Sequence, residues 1–201
     1  MNHNVNLPLT ALLPRMNGDF IKSSENVSQH HDVFLDSVIG EPPEYRELIA
    51  LLFNAGEYDT FNIFINSDGG HLDTALAIVE GLKATNAHVT AILIGACHSA
   101  ASIISMYCHE VAVLDSAYSM VHTASFGYDG NTGNVKAHTE FTVKQVEKLL
   151  NDTYDGFLTK EELAKVKTGV ELWFSSEDIR SRMTSRVKFL NKKQKQSAQS
   201  S

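Results

Sequence analysis

Apolar residues along this chain fall into short runs and helical stripes separated by polar turns. A strand is expected over 32–35, after which Pro42 and Pro43 open a helix over 44–54, since proline is tolerated in a first helical turn. The run FNIFI at 61–65 is rich in β-branched and aromatic residues and predicts a strand buried on both faces. The turn Asn66-Ser67-Asp68-Gly69-Gly70 follows. Leu72, Ala75, Leu76, Val79 and Leu82 then form the stripe of a helix over 71–84. HVTAILI at 88–94 predicts a second strand, ended by a turn at Gly95, and a helix follows over 99–107. Two further strands are expected at 110–114 and 118–122. This alternation implies an α/β fold with parallel strands joined by crossovers.

Beyond His122 the character changes. FGYDGNTG at 126–133 is turn-like, and a long helix is expected over 134–152. Thr159 and Glu162 have the spacing of a capping box for a helix to Val166, and Ser175 can cap a last helix ending near Met183. Residues 1–30 are weakly patterned and read as an irregular arm, 31–187 as one domain, and 188–201 as a polar, disordered tail.

The 201 residues are 43% hydrophobic and 20% charged, which suits one globular domain. A net charge of -7 argues against nucleic acid as the main partner. No apolar run reaches the roughly 20 residues of a membrane span, and no secretion signal is evident, so no membrane partner is expected. Cys97 and Cys108 lie in apolar surroundings and read as reduced thiols, which points to the cytoplasm. The histidines show no metal-ligand spacing, so neither metal nor cofactor is expected.

Three places could carry chemistry. Ser99 sits where a strand turns into an Ala-rich helix: it is either a simple N-cap or a nucleophile beside unpaired helix N–H groups. His122 closes a strand, as a structural residue or as a general base. Gly69-Gly70 is either a tight turn or a backbone N–H aimed at an oxyanion. His98 is a poor alternative base, because sequence neighbours at a helix start point apart.

Read together, Ile65-Asn66-Ser67-Asp68-Gly69-Gly70, Gly95-Ala96-Cys97-His98-Ser99-Ala100-Ala101 and Met120-Val121-His122 resemble, in order and spacing, the ClpP family of serine peptidases. The resemblance covers about residues 33–183 and implies a ClpP/crotonase-like fold of stacked βαβ units with a protruding strand-helix handle, here 125–152. It implies Ser99 as nucleophile, His122 as base, and the N–H groups of Gly70 and Ala100 as oxyanion donors. Glu171, in ELWFSSE at 171–177, stands where the family has its triad aspartate, with Asp178 the weaker substitute. Asp68 replaces the proline of the family's INSPGG turn. Cys97 and His98 also depart from the family pattern, and such divergence is similar to that of viral ClpP-like peptidases.

The resemblance further implies peptide or unfolded-protein substrates, bound as an added strand. It implies a homo-oligomeric ring, with a tetradecamer of two heptamers as one form. Residues 1–30 do not match the family's N-terminal loops, so an AAA+ unfoldase partner is not implied. Two other readings share the fold: a catalytically inactive ring subunit, and a crotonase-type acyl-CoA enzyme that needs no Ser–His pair.

Overall fold

The computed structural model describes residues 28–199; most of the arm expected at 1–30 lies outside the described residues. Strand β1 (His30–Leu35) is followed by a 3-10 turn at Pro42–Tyr45, helix α1 (Arg46–Asn54), β2 (Thr60–Ser67), α2 (Leu72–Ala84), β3 (His88–His98), α3 (Ala100–Met106), β4 (Glu110–Val113) and β5 (Tyr118–Val121). Helix α4 (Thr132–Tyr154), α5 (Lys160–Lys167), β6 (Leu172–Phe174) and α6 (Ser176–Gln199) complete the chain. The expected α/β organisation of parallel βαβ units is therefore present.

The strands form one sheet, in which β1, β2 and β3 are parallel neighbours. β3 is longer than its sequence run suggests. It carries β4 along Thr90–Leu93 and β5 along Ala96–His98, both parallel, and β6 adds to β5 antiparallel. Gly95 does not end β3 as expected. A Cβ there would lie 2.3 Å from the Asn66 side-chain oxygen, so glycine leaves room for that amide to accept the Ala96 N–H at 3.0 Å. The strand thus runs on to the residue before Ser99.

β2 is not buried on both faces. Phe61, Ile63, Ile65 and Ser67 are buried, whereas the residues between them are half-buried or exposed. On the open face Phe34 stacks on Phe64 at 4.8 Å. The covered face packs against Leu52 of α1 and Ala75, Ile78, Val79 and Leu82 of α2, all essentially inaccessible to water. Burial of each such branched aliphatic stabilises the fold by about 1.5–3 kcal/mol.

The polar features follow local rules. Thr159 and Glu162 make the reciprocal capping box at the start of α5. Ser175 and Asp178 do the same at the start of α6, which occupies the Asp178 carboxylate. Buried Arg186 donates to the carbonyls of Met106, Thr153 and Asp155, tying α6 to the end of α3 and of α4.

Two expectations are corrected. The handle has a helix, Thr132–Tyr154, but no strand before it: 122–131 is irregular, with exposed glycines and, among the described residues, no strand beside it to complete a ladder. The last helix does not stop near Met183, and the polar stretch from 188 continues it to Gln199. That stretch is rich in Lys and Gln, which are good helix formers, and no Gly or Pro follows Gly169.

Candidate active site

The end of β3, the start of α3 and the end of β5 converge on Ser99. The Ser99 N–H donates to the carbonyl of Met120 at 2.8 Å, which continues the β3–β5 ladder into the turn. That bond fixes Ser99 against the strand whose next residues are Val121 and His122. The Ser99 hydroxyl and His122 Nε2 consequently meet at 2.7 Å. Two residues that are distant in the chain are within proton-transfer reach.

Ser99 has φ +51° and is the non-glycine residue with positive φ among those described. Such backbone costs on the order of 1–3 kcal/mol and persists only where its surroundings hold it. Here the restraints are the Met120 carbonyl on one side and helix α3 on the other, whose Ser102 hydroxyl donates to the Ser99 carbonyl at 2.8 Å. The sharp turn turns the hydroxyl out of the sheet, as in other strand-to-helix nucleophile turns.

The glycine turn packs directly on this segment. Gly69 has φ +90°, and a Cβ on it would stand 2.7 Å from the His98 carbonyl oxygen and 2.9 Å from the Ala100 nitrogen. Gly70 has φ +148°, and a Cβ there would meet the Ile39 carbonyl oxygen at 2.3 Å. Ile39 grips the turn from behind: its N–H donates to the Gly69 carbonyl, and its carbonyl accepts from His71, both at 2.8 Å. Among the described residues no hydrogen bond uses the N–H of Gly70 or of Ala100. Both residues line, with Ser99 and His122, a cavity of about 920 Å³. Its wall includes Ile103, Met120, Val146 and Leu150, and His138 and Thr142 from α4.

Glu171 is placed differently. It is exposed, and no hydrogen bond or ion pair among the described residues engages its carboxylate. Its backbone position is nevertheless close to the site. The antiparallel ladder ends on the Val121–Leu172 pair, and Glu171 and His122 are the residues that flank that last pair on either strand. Asp178, committed to Ser175, is not available to His122.

The other titratable groups nearby have different roles. Burial pushes the Cys97 thiol up to about 12, so it stays protonated and is no rival nucleophile. His98 points away from Ser99, as its sequence position implied. Its Nδ1 lies 3.0 Å from Asp68 Oδ1, and its ring is wedged edge-on against Tyr118 and Trp173. Sequence reasoning missed this pair; the signal was that positions 68 and 98 both depart from the pattern the chain otherwise resembles.

No group of three or more His, Cys, Asp or Glu suited to a metal ion occurs among the described residues, and none of their helices is long and apolar enough to cross a membrane. The family model for Clp protease matches residues 17–184, and that match, which takes in every residue of the site just described, places this chain in the Clp protease family.

Proposed function

We propose that the chain is a serine peptidase that hydrolyses peptide bonds through an acyl-enzyme on Ser99. The observation that carries this reading is the 2.7 Å contact of the Ser99 hydroxyl with His122 Nε2, at a cavity that two unengaged backbone N–H groups also line. Ser99 Oγ attacks the peptide carbonyl carbon while its proton passes to His122 Nε2. The N–H groups of Gly70 and Ala100 stabilise the resulting oxyanion, an effect worth on the order of 10²–10³ in rate per donor. Collapse breaks the C–N bond, and the His122 proton leaves on the amine. Water then gives its proton to His122, attacks the ester carbonyl and releases the acid, restoring Ser99.

For Nε2 to accept a proton, Nδ1 of His122 must carry one, and an acceptor there holds that tautomer. Glu171 is the proposed acceptor, supported by its place next to the last β5–β6 pair, Val121–Leu172, which His122 follows on the other strand. No cofactor enters this chemistry. The substrate is a peptide or unfolded chain. Assembly into a homo-oligomeric ring is part of the same reading, supported by exposed Phe141 and Val143 on α4, which one protomer leaves uncovered.

The test is labelling of the purified protein with a fluorophosphonate probe. Wild type should be labelled and Ser99→Ala should not. Labelling that survives the substitution, or that is absent from wild type, would remove the assignment.

A further inference from the structure

Asp68 and His98 meet across the two segments that carry the proposed oxyanion donors, and we propose that they act as a positioning pair which holds the oxyanion hole in register. The proposal rests on the peptidase reading above. Asp68 immediately precedes Gly69-Gly70, and His98 immediately precedes Ser99-Ala100. The side chains join at 3.0 Å between Asp68 Oδ1 and His98 Nδ1. The pair therefore bridges the turn that presents the Gly70 N–H and the elbow that presents the Ala100 N–H.

The two side chains are in ion-pair range, and of the two only the imidazole can bring a proton to the contact, since an ionised carboxylate can only accept. The imidazole is also held by packing. Its side chain is 7% exposed, against 78% for that of Asp68, and it is packed 4.9 Å from the Tyr118 ring and 5.1 Å from the Trp173 ring. Its Nε2 is buried without a hydrogen-bond partner. Leaving a buried polar atom unpaired costs about 1–3 kcal/mol, so a ring chosen for packing alone would be poorly served by an imidazole here. The other ring nitrogen, Nδ1, faces the Asp68 carboxylate.

The last backbone pairing between the two segments is Ser67 with Cys97, and the Asp68–His98 contact follows it by one residue, on the side of the oxyanion donors. The turn approaches the elbow so closely that only a glycine fits at position 69, yet the gripping bonds to Ile39 lie on the far side of the turn. Asp68–His98 extends the Ser67–Cys97 pairing as a side-chain contact between the turn and the elbow. A shift of one segment relative to the other separates the two N–H groups and leaves the Ser99–His122 contact, made through β5, in place.

The test is steady-state peptide hydrolysis by Asp68→Ala, His98→Ala, the double variant and Asp68→Asn, together with fluorophosphonate labelling. Each alanine variant should lower kcat about tenfold, less than outright loss of an oxyanion donor, with KM changed less than twofold. The double variant should be no worse than either single one, because the partners act as a unit. Asp68→Asn keeps an acceptor for Nδ1–H and should recover most of kcat. An unchanged kcat in Asp68→Ala, multiplicative losses in the double variant, or failure of Asp68→Asn to recover kcat would overturn the pair. Failure of the peptidase reading is distinct, since wild type itself would then resist the probe.

Discussion

Replacing Gly69 with alanine should damage the site more than the fold, and the size of the effect follows from two separable causes. The first is backbone: at φ +90° an L side chain costs about 1–2 kcal/mol. The second is space. The new Cβ would stand 2.7 Å from the His98 carbonyl oxygen, 2.8 Å from Ser99 Cβ and 2.9 Å from the Ala100 nitrogen. Comfortable separations are about 3.5–4.0 Å, so the turn and the elbow must part by roughly 1 Å, and overpacking of that kind costs about 1–3 kcal/mol. Gly169 supplies the control. It has φ +96°, but a Cβ on it meets nothing within 4 Å. Gly169→Ala should therefore lose only the backbone component, about 1–2 kcal/mol, and Gly69→Ala about 2–5 kcal/mol. Urea unfolding of both variants measures the difference. Fluorophosphonate labelling measures the chemistry, and a misplacement near 1 Å should slow acylation of Gly69→Ala on the order of a hundredfold while Gly169→Ala keeps the wild-type rate. Equal destabilisation of the two, with labelling of Gly69→Ala undiminished, would refute the packing argument.

If the Glu171 carboxylate holds the His122 tautomer, Glu171→Ala should slow peptide turnover on the order of a hundredfold with unchanged thermal unfolding; undiminished turnover makes it a bystander. Glu162 is held below the ordinary glutamate range, first by its hydrogen bond with Arg182, which meets it at 2.7 Å. A lowered folded-state value means that this stabilisation is present above about pH 4.3, the unfolded value, and is lost as pH falls through the folded one. Glu162→Gln should thus flatten the acid limb of a stability–pH curve and lower neutral stability by about 1.5–3 kcal/mol; an acid limb as steep as wild type would contradict the linkage.

Much of the architecture was legible because its causes are local. The stripe Leu72, Ala75, Val79, Leu82 and the capping box Thr159–Glu162 are period and spacing, and both stand where expected. Ser99 and His122 could be singled out, but only a β3–β5 ladder sets their separation, and that ladder pairs residues more than twenty apart. What sequence reading missed is non-local or context-dependent. β3 runs through Gly95 because of Asn66 on a neighbouring strand, and β6 exists because Leu172–Phe174 finds β5. The Asp68–His98 contact spans thirty residues and could not come from spacing. The end of α6 is hidden in the sequence for another reason: a polar run suggests disorder, although its residues are strong helix formers.

The unusual dihedral of the serine sets durability and chemistry against each other at one atom. Glycine is the residue that this backbone suits best, and it would relax the elbow by about 1–2 kcal/mol. It would also remove the hydroxyl. Drift toward a sturdier protein therefore has a ready route at position 99, closed only if the proposed chemistry needs the oxygen. A copy released from that need should lose its serine there before its scaffold shows any decay.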